Sequence, residues 1–158
     1  MIAELDGGGR ADAVLVDCGP GSFTGIRVGI AAARGLGIGW KVPVAGYAST
    51  DLVAAMAFAG PAAGPVAVVL EGGHGEVFVQ TYDTLESAGP LASLTPEAAR
   101  DRVGGRPAYG NGVRWLGGGI ELIADARAAR LLPPGLRGLR PAPRYGRAPD
   151  AKPMAVRG

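Results

Sequence analysis

Few side chains in this chain are of types that do chemistry, and their spacing limits what they can do. His74 is the only histidine and Cys18 the only cysteine. One histidine supplies no two-histidine metal motif, so no metal site is expected. On the turn Gly72-Gly73-His74-Gly75 it reads as a solvated side chain. Cys18 abuts a glycine loop. As a nucleophile it needs a base beside it, and only folding brings His74 close. Its other reading is a small buried core residue. Glu71 and Glu76 flank the histidine turn, where paired carboxylates can do acid–base work or stand as rim charges. Asp17 ends the apolar run Ala13-Val14-Leu15-Val16, just before the glycine loop. A carboxylate there can lie near a metal–nucleotide complex, or it can bond the loop's own backbone. No catalytic set emerges from these residues.

The elements around Asp17 are more informative. A strand over 13–17 runs into Gly19-Pro20-Gly21-Ser22-Phe23-Thr24-Gly25-Ile26-Arg27-Val28-Gly29, which opens a helix over 24–40. Strand, glycine turn and helix together aim backbone N–H groups and a helix N-terminus at a ligand or partner. Ser22 or Thr24 can cap the helix. No Lys-Ser or Lys-Thr pair follows the glycines, so the loop is not a P-loop, and its spacing is not the dinucleotide fingerprint. Gly25, Gly29, Ala33 and Gly37 recur every fourth residue and share one helix face. Interior glycine costs about 0.5–1 kcal/mol relative to alanine. A row of small residues therefore implies close packing, either on another protein's helix or inside the same domain. Arg27, Arg34 and Lys41 interrupt the stretch and argue against a membrane span.

This string, with Ala33-Arg34-Gly35-Leu36 after it, resembles the signature of the TsaB family. The family is the non-catalytic branch of the bacterial machinery that makes threonylcarbamoyladenosine in tRNA, once labelled glycoprotease-like. Weaker likenesses follow at Pro43-Val44-Ala45-Gly46 with Ser49 and Leu52, at Gly75-Glu76-Val77-Phe78-Val79 with Tyr82-Asp83, at Tyr109-Gly110-Asn111-Gly112, and at Arg147-Ala148-Pro149-Asp150-Ala151-Lys152. The chain also departs from the family pattern. The opening Ile-Asp-Thr-Ser strand, β-meander and first helix have no counterpart, and Met1-Ile2-Ala3-Glu4-Leu5 matches at most the end of that helix. Glu71-Gly72-Gly73-His74 stands where the family has Asp-Ala-Arg. Leu132-Pro133-Pro134-Gly135 breaks the helix that usually precedes the C-terminal motif.

The resemblance implies an α/β chain of the actin-like ATPase (ribonuclease H-like) fold with two lobes, the first lacking its opening strands. The expected division is 1–60 for the remainder of the N-terminal lobe and 61–158 for the C-terminal lobe. It implies a catalytically inactive subunit that docks on TsaD, the transferase, with the ATPase TsaE joining and tRNA engaged indirectly. The residues matching the docking signature are Gly21, Ser22, Phe23, Thr24, Gly25, Arg27, Gly29, Ala33 and Gly37, with Asp17 in the nucleotide vicinity. No cofactor is expected on this chain alone, ATP belonging to the assembled complex. The same helices can also pair two copies of the chain. The alternative is an independent enzyme, either a nucleotide hydrolase of the actin-like fold or a peptidase. The metal-binding His-x-x-x-His pair of the catalytic paralogue is absent from this sequence.

Composition is consistent with one globular unit or two small ones. Apolar residues make up 47% of 158, enough for a core. Glycine numbers 28, which raises the entropy cost of folding. No apolar run reaches ~18 residues and no basic-start leader is evident, so a cytoplasmic location is the expectation. The net charge of +2 hides an asymmetry: eight basic residues from Arg127 onward face only Asp150, which leaves the earlier part acidic. A basic, proline-rich tail can meet RNA phosphates or an acidic partner, or stay solvated. Only Tyr145 accompanies its arginines as an aromatic.

The remaining pattern predicts a strand over 42–45 and a helix over 51–59 capped by Ser49 or Thr50. Strands over 65–70 and 76–82 form a hairpin. Thr95-Pro96 starts a short helix, 106–109 is a strand, and 120–129 is a helix. Loop is expected after Leu132.

Overall fold

The computed structural model describes residues 9–60 and 62–146. The segments Met1–Leu5 and Arg147–Lys152, singled out above, lie outside them. The chain opens with β1 (Val14–Asp17), α1 (Phe23–Trp40) and β2 (Val44–Tyr47). β1 and β2 pair in parallel, with Val14 opposite Val44 and Asp17 opposite Tyr47. Parallel neighbours need a crossover, and α1 is that crossover. Then follow α2 (Ser49–Ala59), β3 (Val66–Gly73), β4 (Glu76–Thr84), β5 (Ser87–Ala88), β6 (Ala92–Leu94), α3 (Pro96–Val103) and β7 (Ala108–Tyr109). The second sheet has the order β5-β4-β3-β7, with β6 also pairing β4. β3 and β4 form an antiparallel hairpin, whereas β3 and β7 run parallel.

β3 explains why the second sheet is a central layer. Its Val66, Val68 and Leu70 face Val53, Ala54 and Ala57 of α2. Its Ala67 and Val69 face Ala99 and Val103 of α3. Both faces are covered, so the strand is an unbroken apolar run rather than an alternating one. A third apolar cluster joins Tyr47 at the end of β2 to Leu52 and Ala55 of α2 and to Ala129 and Leu132. Cys18, Ile26 and Ile30 close the space between β1 and α1.

The C-terminal segment returns to the first sheet. Gly46 and Leu139 exchange both backbone hydrogen bonds, at 2.7 and 3.0 Å. The Arg144 amide donates to the Cys18 carbonyl at 2.7 Å. β2 therefore has no open edge at Gly46, which protects a short sheet from foreign pairing.

Two local expectations are corrected. The first residue of α2 is Ser49, and its N-cap, Ala48, makes no side-chain cap bond. The Ser49 and Thr50 hydroxyls are used in tertiary contacts instead. The helix expected over 120–129 is absent: Ile120 bridges to Tyr109, and a 3-10 helix spans Ala126–Leu131. Glycines 117–119 stand before the expected span and Pro133-Pro134 after it, and its first residue, Ile120, is drawn into the bridge with Tyr109.

The small-residue row of α1 is corrected as well. Ala33 and Gly37 are buried and Gly29 is half-buried, all turned toward the chain's own sheet. A Cβ on Gly37 would overlap Val44 Cγ2, and one on Gly29 would touch Val16 Cγ2 at 4.0 Å. The row is the seat of α1 on β1 and β2, not a face offered to a partner. Gly25 stands exposed at the start of the helix.

Two glycines of α1 should therefore respond oppositely to alanine. Gly37→Ala should lower stability by about 1–3 kcal/mol through overpacking. Gly35→Ala, whose Cβ would meet nothing within 4 Å, should raise it by about 0.5–1 kcal/mol. Urea unfolding of the two variants checks both signs.

Candidate functional site

The glycine loop is held by Asp17. Its Oδ1 accepts from the Gly19 amide at 2.8 Å and from Ser49 Oγ at 2.7 Å. Gly19 needs its glycine: φ is +99°, and a Cβ would sit 2.7 Å from Ile26 Cδ1 and 2.8 Å from the Arg144 carbonyl oxygen. Of the two readings of Asp17, the structure gives the backbone-bonding one. Burial raises the Asp17 carboxyl above its usual range, against the two hydrogen bonds that favour its charge. The neighbouring Tyr47 hydroxyl is pushed up to about 12, by burial first and then by the Asp17 charge.

Ser22 caps α1, its Oγ accepting from the Gly25 amide at 3.3 Å. Gly21, Ser22, Phe23, Thr24 and Arg27 of the signature are all exposed. The Arg27 guanidinium lies 3.8 Å over the Phe23 ring, and its Nε donates to the Tyr145 hydroxyl at 2.7 Å. The Phe23 and Tyr145 rings stack with centroids 5.0 Å apart. Further along the helix, Arg34 donates to the Pro141 carbonyl at 2.7 Å.

With its small row buried, α1 exposes the opposite face. Thr24, Val28, Ala31, Gly35 and Ile38 fall at spacings of four, three, four and three, which makes one uncharged stripe. Val28 is 62% exposed and Ile38 80%. The spacing of this stripe is present in the sequence, but it is less regular than the row of small residues on the buried face.

The other chemical candidates are tied into the fold. Cys18 is fully buried, and desolvation raises its thiol pKa, the opposite of nucleophile activation. Glu71 pairs with Arg114 at 2.6 Å, and Glu76 accepts from Ser93 Oγ at 2.7 Å. His74 takes φ +53° in the β3–β4 turn and is exposed. Among the described residues no group of three or more His, Cys, Asp or Glu side chains is placed to hold a metal. No helix among them is long and apolar enough to cross a membrane.

One buried polar network had no sequence signal beyond an acid in a helix's first turn. The Tyr82 hydroxyl donates to Asp51 Oδ1 at 2.7 Å and lies 3.0 Å from Gln80 Oε1. Gln80 Oε1 accepts from Thr50 Oγ1 at 2.6 Å, and its Nε2 donates to the Gly89 carbonyl at 2.9 Å. Burial raises the Asp51 carboxyl and holds the Tyr82 hydroxyl far above its ordinary range. The network pins α2 to β4.

Comparison with known proteins agrees with this architecture. YeaZ from Pseudomonas aeruginosa superposes with a TM-score of 0.65 at 25% identity, over 85% of this chain and 74% of that one. A second P. aeruginosa structure, titled as similar to peptidase YEAZ, gives 0.64 at 24% identity, over 87% and 74%. The class is thus α/β with the actin-like ATPase fold. The family model for "TsaD: tRNA N6-adenosine threonylcarbamoyltransferase" matches residues 8–101. An uncharacterised protein of Mycobacterium tuberculosis is 34% identical, over 92% of this chain and 68% of its own length. The tRNA threonylcarbamoyladenosine biosynthesis protein TsaB of Escherichia coli is 33% identical over 90 residues, 54% of this chain and 39% of that protein. The chain belongs to this family, as a TsaB-like member of the proteins involved in tRNA threonylcarbamoyladenosine biosynthesis.

The Asp51 network gives a pH test. A carboxyl whose pKa is raised on folding binds its proton more tightly in the folded state. Its contribution to stability therefore falls as pH rises from the unfolded value near 3.8 through the folded one. Asp51→Asn, which still accepts from Tyr82, should remove that slope and be at least as stable at pH 7. Asp51→Ala should cost about 0.5–1.5 kcal/mol by removing one hydrogen bond of the Tyr82 hydroxyl, which keeps Gln80 Oε1 as its other acceptor. Urea unfolding at several pH values checks both.

Proposed function

We propose that this chain is a non-catalytic partner subunit that binds and activates a TsaD-like transferase, which modifies the adenosine beside the tRNA anticodon with a threonylcarbamoyl group. The observation that carries this reading is the uncharged exposed stripe of α1. Covering it removes Val28 and Ile38 from water at about 25 cal/mol per Å² and strands no charge. Gly35, with open space where its Cβ would be, lets a second helix approach closely. The exposed signature residues Phe23, Thr24 and Arg27 continue this surface at the helix N-terminus.

In this role the chain supplies shape rather than chemistry. A TsaE-like ATPase joins the assembly, and ATP is bound there rather than by this chain alone. A second copy can cover the same stripe, and the two associations then compete.

The test is calorimetric titration of the full chain into a purified TsaD-like protein from the same source. Saturable one-to-one heat is expected. Val28→Glu and Ile38→Glu should each weaken it by more than ~2 kcal/mol, while unfolding stability stays within ~0.5 kcal/mol because both side chains are exposed. No heat from a folded chain, or heat indifferent to both substitutions, overturns the proposal. So does ATP hydrolysis by the isolated chain that Asp17→Ala abolishes.

A further inference from the structure

The strap formed by residues 139–145 runs against α1, with Pro141 meeting Arg34 and Tyr145 meeting Phe23 and Arg27. We infer that the surface made by Phe23, Arg27, Arg34, Arg140, Arg144 and Tyr145 binds single-stranded RNA. All six residues are exposed. Among the described residues, none of the four arginines forms an ion pair. Arg27 spends Nε on Tyr145, and Arg34 spends one Nη on Pro141. Both guanidiniums are held in place by single bonds and keep further donors for an acceptor.

Three features favour RNA over a lone anion or an acidic protein. Arg27 and Arg34 are seven residues apart on α1, about 10 Å along the axis, so the charge forms a row suited to a polyanion. Phe23 and Tyr145 form a ready stack beside that row, and bases add to such a platform whatever their identity. The rings are already clamped by Arg27, so little order is lost on binding. Arg27 and Arg34 lie on the flank of α1 between its buried face and the uncharged stripe, so the patch adjoins the docking surface at Phe23 and Arg27.

The experiment is fluorescence anisotropy of the full chain with a labelled single-stranded RNA of about 12 nucleotides over a range of salt. Duplex RNA and poly-glutamate of similar length serve as the other arms. Binding should prefer the single strand. Tyr145→Ala should weaken it about 5- to 100-fold, while Tyr145→Phe keeps most of it. Arg27→Gln and Arg140→Gln should each reduce the log–log salt slope by about 0.7. Arg114→Gln, away from the patch, should change neither. The Arg140 side chain makes no hydrogen bond to the described residues, so that variant carries the test even if Tyr145→Ala disturbs folding. No binding at low salt, equal binding of poly-glutamate, or RNA affinity unmoved by Arg140→Gln and Tyr145→Ala overturns the inference. Loss of TsaD-like partner binding in these variants without RNA binding overturns it too, and gives the patch to the protein interface.

Discussion

Gly46 and Leu139 lie more than ninety residues apart and exchange two backbone hydrogen bonds, and the surface of the first sheet depends on that pair. A two-stranded parallel sheet has exposed edges and little independent stability. Leu139 covers one edge and fixes the path of the chain beyond it. Arg140 then lies beside Cys18, Pro141 receives Arg34, and Tyr145 reaches Phe23. Without the pair, the stacked rings and the row of arginines would not share a surface.

α1 shows how one helix divides its work. Its glycine row gives up helix propensity so that the axis can lie close on Val44, and Ile26 and Ile30 fill the rest of the contact. That leaves an opposite face of Val28, Ala31, Gly35 and Ile38 that none of the described residues covers. Helix faces this apolar are uncommon on a free surface unless something else packs there. The arginines lie on the flank between the two faces, where they meet the strap rather than the stripe.

α2 is held by polar as well as apolar contacts. Residues that would ordinarily cap a helix are turned to tertiary use, Ser49 toward Asp17 and Thr50 toward Gln80. The helix thereby links the glycine loop on one side to β4 on the other. Its buried polar atoms are satisfied by one another, so the arrangement adds specificity without stranding groups in the core.

By itself the sequence determined the order of the main elements and the strand–loop–helix unit around Asp17. Periodicity, glycine turns and the Thr95-Pro96 cap are local signals, and local signals survive into the structure. The signature string also carried the family. Only the tertiary structure decided which face of α1 is buried, because a helix pattern with two plausible faces is resolved by what the rest of the chain supplies to cover it. It likewise decided that Tyr145 meets Phe23 and that Asp51 meets Tyr82. These contacts join residues 122 and 31 positions apart, and their partners are chosen by sheet register and strap path rather than by any pattern in nearby sequence.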